Sequence, residues 1–385
     1  MAKIGIITIH HSVNYGACLQ SYGLYKYIES LGFECEIINL RRPMHDDYNP
    51  SKKYIRFRPA ERVDYSSIKF WLKSMIPNCL RDSNYYKNKS LLESRNLKFA
   101  EFNKKIKLSS RTYTCIDDLY ANPPFYDIYI TGSDQVWNPM QPFCIEPYFL
   151  TFVKNPKARK ISYAASIGLS ELRKNEEDCF RKWLSTYNAI TVREKEGKQI
   201  LEKIIDTPVD VVLDPTFLVG PEHWHSLAVK PQINEPYILV FKVIARKELV
   251  DYATKIGLQS GKRVIVLPSG EDGEGRTIIR NAGPEEYLGW FANADMVITD
   301  SFHGGVFSIL MGAKNFFESI PRENKKGSRI VTLFNTFELA DHILSPDLNQ
   351  TYDDLAKISV NRDRLMDLVK HETEISRQKL KQLLE

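Results

Sequence analysis

Ala294-Asp295-Met296-Val297-Ile298-Thr299-Asp300-Ser301-Phe302-His303-Gly304-Gly305-Val306-Phe307-Ser308-Ile309-Leu310-Met311-Gly312 is the stretch that decides the fold. Met296 to Ile298 is a short apolar, β-branched run with the length of a buried strand. Asp300 and Ser301 are residue types that cap helix N-termini. Val306 to Met311 continues as an apolar helix, and Gly312 suits its C-terminal cap. Gly304 and Gly305, without Cβ atoms, let backbone approach a ligand closely. The stretch therefore reads as strand, turn and helix of an α/β sheet, with His303 at the turn. Open α/β sheets bind ligands at the carboxyl ends of their strands, where helix N-termini favour anions. A histidine there can exchange a proton near neutral pH.

The chain has 385 residues, enough for two domains with sizeable cores. With 43% hydrophobic and 26% charged residues it has the composition of a globular protein, not a disordered one. The six cysteines, at 18, 35, 79, 115, 144 and 179, include no C-x-x-C pair. That argues against a disulfide framework or zinc site and suits a reducing cytoplasm. Lys3 to Ile9 is too short and polar-flanked for a signal peptide, and no apolar run approaches membrane-spanning length. A cytoplasmic protein is expected. Charge is unevenly spread: residues 51–112 carry 16 Lys/Arg against 5 Asp/Glu, and the remainder 37 against 43. One basic segment on a mildly acidic protein implies an anionic partner for that segment.

From the N-terminus, Ile4 to Ile9 reads as a buried parallel strand. A helix follows, with Leu19, Tyr22, Leu24, Ile28 and Leu31 spaced to face a core and Gly32 ending it. Glu34 to Leu40 is the next strand. This βαβ start lacks G-x-G-x-x-G, so no dinucleotide site is indicated. Asn14 and Gly16 stand at the carboxyl edge of the first strand, as substrate neighbours or as a simple Asn/Gly turn. Arg41 to Arg111 breaks the alternation. Within it, Ser66 to Ile76 patterns as a basic amphipathic helix, suited to an anionic membrane or to covering the sheet with a solvated lysine face. No nucleic-acid-binding module surrounds the charge, so nucleic acid is not expected as a partner.

Alternation returns with strands at Tyr126 to Thr131, Lys160 to Ala165, Ala189 to Glu194 and Val209 to Leu213. Their carboxyl ends carry Ser133, Asp134 and Gln135, then Ser166, then Arg193 with Glu194, then Asp214, which should line one crevice. Residues 221–236 hold three prolines and no period, as a connection between domains would. A second alternation has strands at Tyr237 to Val243, Arg263 to Leu267, Met296 to Ile298 and Lys314 to Phe317, with a helix over Pro284 to Asn293. The acidic, glycine-containing loop Pro268 to Arg276 reads as flexible, and Pro321 to Arg329 as a basic loop. Leu355 to Leu384 is a long helix or helix pair. The expected organisation is a Rossmann-like domain over 1–220 with a basic insertion at 41–112, a linker at 221–236, a second Rossmann-like domain over 237–350, and a helical tail over 351–385. Arg193 from one half and His303 from the other would then meet over a central cleft.

The chain resembles the polysaccharide pyruvyl transferase family. The matching pieces are Asn14-Tyr15-Gly16-Ala17, Gly132-Ser133-Asp134-Gln135-Val136-Trp137-Asn138, Ser162-Tyr163-Ala164-Ala165-Ser166, Thr191-Val192-Arg193-Glu194, Leu213-Asp214-Pro215-Thr216 and Thr299-Asp300-Ser301-Phe302-His303-Gly304. The resemblance implies a GT-B-like pair of domains, phosphoenolpyruvate as donor, and a pyruvate ketal placed on two hydroxyls of one sugar in a capsular or exopolysaccharide precursor. In characterised members Arg-Leu precedes the histidine, whereas Ser301-Phe302 stand here.

The expected catalytic pair is His303, as general acid, and Arg193. Donor binding is expected from Arg193, Ser301, Phe302, Gly304, Arg329 and Lys242, with amides of the helix beginning near His303. Acceptor binding is expected from Asn14, Gly16, Ser133, Asp134, Gln135 and Trp137, the indole offering a platform for a sugar face. No metal-ligand spacing occurs, and no cofactor beyond the co-substrate phosphoenolpyruvate is expected. A lipid-linked acceptor is one expectation, with residues 51–112 touching the membrane as a peripheral contact. A GT-B glycosyltransferase using a nucleotide sugar is the rival reading; a sugar- or membrane-binding scaffold would leave Arg193 and His303 without a task.

Overall fold

Runs of buried β-branched residues, most of them followed by a helix, form the inner strands of two five-stranded parallel sheets. The computed structural model describes residues 2–42, 83–141, 144–244, 246–320 and 328–385. The first lobe contains β1 (Lys3–Ile7), α1 (Tyr15–Ser30), β2 (Glu34–Leu40), α2 (Ser83–Asn103), β3 (Leu108–Tyr113), α3 (Ile116–Ala121), β4 (Ile128–Thr131), β5 (Arg159–Ser162), α4 (Lys174–Leu184), β6 (Ile190–Val192), α5 (Lys195–Leu201) and β7 (Val209–Val211). The sheet order is β3-β2-β1-β4-β5. Bridges Ile161–Ala189 and Ala165–Val192 carry it on to the β6–β7 pair. Ile6 sits between Ile37 and Ile130 in register, and all three side chains are sealed from water.

After α6 (Pro221–Leu227), the second lobe contains β8 (Tyr237–Phe241), α7 (Lys247–Ser260), β9 (Arg263–Leu267), β10 (Arg276–Ile278), α8 (Pro284–Asn293), β11 (Met296–Thr299), α9 (Phe302–Leu310), β12 (Phe316–Glu318), α10 (Ser328–Thr336), α11 (Tyr352–Ala356) and α12 (Arg362–Leu384). Its order, β10-β9-β8-β11-β12, repeats that of the first sheet. In each sheet the order reverses beside the first strand, between β1 and β4 and between β8 and β11. Those reversals open crevices at the strands' carboxyl ends. Residues 132–135 and 300–303 follow β4 and β11 at these two points.

The two lobes share one core. Tyr15 of α1 stacks on Tyr287 of α8 with ring centroids 4.5 Å apart and donates to the Ala282 carbonyl at 2.7 Å. Phe217 stacks on Phe337 at 5.3 Å, and Trp224 meets Phe307 edge-on at 5.4 Å. The last helix, α12, returns to the first lobe: Arg377 donates to the Leu218 carbonyl at 2.9 and 2.6 Å, and Leu213 N–H donates to Ser376 Oγ at 3.0 Å.

Several elements differ from the expectation. Residues 41–111 do not wholly leave the alternation, because α2 and β3 belong to the first lobe. β3 escapes the apolar-run criterion because Ser109, Ser110, Arg111 and Thr112 give an edge strand with polar faces. The connection at 221–236 begins with helix α6, where Gly220 at φ 83° precedes Pro221 at the first helical turn. The acidic loop is pinned, not loose: Asp272 pairs with Arg280 at 2.8 Å, Arg276 pairs with Asp251 at 2.8 Å, and β10 follows. The amphipathic stretch 66–76 lies outside the described residues, as does the part of the basic segment before 83. Among the described residues, no helix is long and apolar enough to cross a membrane.

Gly289 of α8 shows how closely the second lobe packs: a Cβ there would lie 1.7 Å from the Val229 carbonyl oxygen. Backbone cannot yield as a side-chain tip can, so Gly289→Ala is expected to cost about 3 kcal/mol, the upper end for overpacking. Urea unfolding measures it, and an unchanged midpoint would contradict this packing.

Candidate active site

β6 ends at Val192, so Arg193 emerges at a strand's carboxyl end, 4% exposed. Burying a guanidinium demands a partner. Its Nη1 donates to Asp214 Oδ2 at 2.6 Å and lies 3.4 Å from Ser133 Oγ. Nη2 stands 3.7 Å from Asp134 Oδ1. Asp214, 1% exposed, follows β7 and receives more. Thr216 donates to its Oδ1 through N–H at 3.1 Å and Oγ at 2.8 Å, and Ser133 Oγ donates to Oδ2 at 3.1 Å. Burial alone would raise the Asp214 pKa, but His303, Arg193 and the Thr216 amide together hold it well below the usual carboxylate range. Burial likewise opposes the charge on Arg193; Asp214, Asp134 and Glu194 outweigh it and raise the Arg193 pKa.

The second lobe meets this cluster through the first turn of α9. His303 Nε2 lies 3.5 Å from Asp214 Oδ2, long for a hydrogen bond but close enough for strong Coulomb attraction. Nε2 is buried with no hydrogen-bond partner among the described residues. The ring's other nitrogen lies against Gly16: a Cβ on Gly16 would be 2.1 Å from His303 Nδ1. Gly16 is thus the place in α1 where only glycine leaves room for the imidazole. The Phe302 ring receives the Arg193 guanidinium at 4.2 Å and the Arg329 guanidinium at 5.8 Å. Ser301 takes the N-cap position of α9 with no side-chain capping bond, and its own N–H donates to Thr299 Oγ1 at 3.1 Å. The first-turn amides of α9 therefore keep their donor capacity.

The loop after β4 carries Asp134 at φ 73°, a left-handed conformation that non-glycine residues rarely adopt. Its Oδ1 accepts from Gln135 N–H at 2.8 Å, which sets the carboxylate at the rim of Arg193. Glu194 Oε1 accepts from Ser166 Oγ at 3.1 Å, Ile167 N–H at 2.8 Å and Gly168 N–H at 2.9 Å, fixing the loop after β5.

The structure thus brings together Gly16, Ser133, Asp134, Arg193, Ser301, Phe302, His303 and Arg329. Asn14 is exposed two residues before Gly16, and its Oδ1 caps α1 through Ala17 N–H at 3.0 Å. Gln135 commits its Oε1 to Asn138 at 2.6 Å. Lys242 follows β8, where its charge acts on Asp300. Two expectations are corrected. Trp137 offers no face to a sugar: it is sealed in the core, stacked on Phe149 at 5.5 Å, with Nε1 donating to the Tyr148 carbonyl at 2.9 Å. Gly304 serves packing rather than ligand approach, since a Cβ there would lie 2.1 Å from Thr299 Oγ1. Gly305 likewise faces Phe334 and Glu318, not the cleft.

Sequence reasoning placed Asp214 at a strand end without giving it a role. An Asp followed by Pro-Thr at such an end, able to collect the Thr216 donors, was the available signal. Glu318 was missed altogether. It lies at the end of β12, fully buried, with neither carboxylate oxygen hydrogen-bonded among the described residues. Burial and the neighbouring Asp300 push its pKa well above the ordinary value, against the pull of Arg329. No group of three or more His, Cys, Asp or Glu that could hold a metal ion occurs among the described residues.

A family model described as polysaccharide pyruvyl transferase matches residues 14–318. No curated protein matches the chain. Among solved structures, UDP-N-acetylglucosamine 2-epimerase from Rickettsia bellii aligns with TM-score 0.56 at 10% identity, over 100% of this chain and 96% of that one. The Methanocaldococcus jannaschii UDP-GlcNAc 2-epimerase, in complex with UDP-GlcNAc and UDP, aligns with TM-score 0.48 at 13% identity, covering 100% and 99%. CalG4, the calicheamicin glycosyltransferase, aligns with TM-score 0.48 at 12% identity, covering 100% and 98%. The Rickettsia bellii alignment shows the fold: two Rossmann-like domains in a GT-B-like arrangement.

Glu318 generates a pH prediction. Its folded-state pKa is raised, so above the ordinary carboxylate range the unfolded chain releases a proton that the folded chain retains, and stability falls as pH rises. Glu318→Gln removes this titration while keeping shape. Its melting temperature relative to the wild type should climb as pH rises above the ordinary carboxylate range; parallel curves would contradict a raised Glu318 pKa.

Proposed function

The chain belongs to the polysaccharide pyruvyl transferase family, and from that membership we propose that it moves the enolpyruvyl group of phosphoenolpyruvate onto two hydroxyls of one sugar. The product is a pyruvate ketal on a capsular or exopolysaccharide precursor, with release of phosphate. The chain is accordingly a transferase, and its family implies a sugar or polysaccharide acceptor. The observation that carries the donor assignment is the set of unfilled donors at the junction of the lobes. Arg193 Nε and Nη2, and His303 Nε2, are buried without hydrogen-bond partners, beside the uncapped N-terminus of α9. Donors left unpaired in a closed site are costly, and an anion that only accepts hydrogen bonds satisfies them.

Protonated His303 delivers a proton from Nε2 to the methylene carbon of phosphoenolpyruvate, which becomes the methyl group. The adjacent carbon acquires oxocarbenium character, and the first sugar hydroxyl adds to it, returning its proton to His303. The second hydroxyl attacks the same carbon; the carbon–oxygen bond to phosphate breaks, and that hydroxyl's proton leaves with the phosphate. One hydroxyl proton therefore replaces the one spent on carbon, and the other departs as hydrogen phosphate. Asp214 holds His303 and Arg193 in one frame, and its negative charge faces the imidazolium. Arg193 binds donor charge through the N–H groups that Asp214 leaves free. The acceptor lies against Gly16, Ser133 and Asp134 on the first lobe. A lipid-linked acceptor would suit a peripheral membrane contact through 51–112.

Incubation with phosphoenolpyruvate and candidate lipid-linked or reporter glycosides, following phosphate release, tests this function. His303→Gln should fold and lose about 10²–10⁴-fold in kcat, the usual worth of a general acid. Near-normal turnover would remove the assigned acid. Turnover of a nucleotide sugar, without phosphoenolpyruvate, would favour a glycosyltransferase instead.

A further inference from the structure

We propose that Arg329 and Arg193, both set against the Phe302 ring, form a two-guanidinium clamp that grips the donor's phosphate group, so that Arg329 is a donor-binding residue. The inference rests on the phosphoenolpyruvate reading but is argued from the arginines themselves. Arg329 lies in the first turn of α10, in the second lobe, and its guanidinium carbon is 5.8 Å from the centre of the Phe302 ring. Arg193 reaches the same ring from the first lobe at 4.2 Å. Each aromatic contact offsets part of the cost of removing a cation from water. It supplies no hydrogen-bond acceptor in the guanidinium plane.

Part of the two guanidiniums' hydrogen-bonding capacity is unfilled. Arg193 is 4% exposed, and its Nε and Nη2 have no hydrogen-bond acceptor among the described residues. Arg329 Nε is equally sealed and equally unfilled. Burial, and after it the Arg193 charge, lowers the Arg329 pKa to about 10, which still leaves it protonated at neutral pH. Glu194, Asp134 and Glu318 act on Arg329 through space, but none forms an ion pair with it among the described residues. Two like charges, one on buried Arg193 and one on half-buried Arg329, thus converge on one ring, beside a helix N-terminus with no side-chain cap.

A dianion is the ligand that such a group lacks. A phosphate monoester offers three terminal oxygens, enough to meet a planar N–H pair from each arginine and an amide from α9. A carboxylate, with two oxygens and one charge, matches one guanidinium but not two. Lys242 and Arg246, also near the second crevice, act on Asp300, and Arg246 donates to Ser319 Oγ at 3.0 Å; among the described residues neither stacks on Phe302. The clamp also closes across the lobes, since Arg193 and Arg329 come from different sheets' neighbourhoods.

The test compares wild type, Arg329→Gln and Arg329→Lys for stabilisation in thermal melting by phosphoenolpyruvate and by inorganic phosphate, and for steady-state pyruvyl transfer. R329Q should melt like the wild type without ligand, lose most of the stabilisation by both probes, and raise KM for phosphoenolpyruvate about 10–100-fold with a smaller change in kcat. R329K should lie between, because a lysine keeps charge but not the planar fork. Unchanged KM and unchanged ligand stabilisation in R329Q, with wild-type turnover intact, would overturn the clamp and leave the pyruvyl reading standing. Stabilisation of the wild type by inorganic phosphate and its loss in R329Q, without any response to phosphoenolpyruvate, would keep the clamp and overturn the donor. If R329Q does not fold, R329K decides: a severalfold KM rise supports the clamp, and an unchanged KM overturns it.

Discussion

The Asp214 carboxylate is the joint on which the site depends. One of its oxygens is claimed by Thr216, which anchors it to its own loop. The other faces Ser133 and Arg193 from the first lobe and His303 from the second. A buried anion so placed sets the distance between a cation and an imidazole that belong to different sheets. Removing one member of such a buried pair strands the other's charge, at about 3–5 kcal/mol. The geometry of the candidate site and the lobe-to-lobe geometry are therefore coupled through the same few atoms. The aromatic contacts of Tyr15 with Tyr287 and of Trp224 with Phe307, together with the return of α12, hold the lobes at the spacing this joint needs.

Charge at the junction of the lobes suits an anionic ligand. The side facing the Phe302 ring presents unfilled N–H donors. Glu318, at the end of β12, is fully buried against Gly305 of α9, and burial and Asp300 push its pKa well above the ordinary value. Glu194, by contrast, is fully buried yet accepts three hydrogen bonds at one oxygen, so it fixes the β5 loop behind Arg193.

The fold was legible because its strands are short buried runs and its helices begin at recognisable caps. β2, β9 and α8 lie where their patterns put them. The elements that escaped, β3 and β10, are edge strands whose residues are largely polar, so no apolar run marks them. Arg193 and His303 were readable as strand-end residues of two halves that must face each other. Which side chains reach the cleft was less readable. Trp137 sits in the same motif as Ser133 and Asp134, yet its indole turns into the core because Phe149 and the Tyr148 carbonyl satisfy it there. Gly304 stands beside His303 and serves Thr299 instead of a ligand. The hub role of Asp214 depends on partners 81 residues before it and on His303 far beyond it, and no local pattern carries that information.

A crystal structure of the protein with phosphoenolpyruvate bound tests the central claim most directly. The donor's phosphate should lie beside the Phe302 ring, within hydrogen-bond reach of Arg193 and the first turn of α9, with its methylene carbon turned toward His303 Nε2. A donor found elsewhere, with Arg193 and His303 still joined only through Asp214, would show that the junction of the lobes is a structural lock and not the reaction centre.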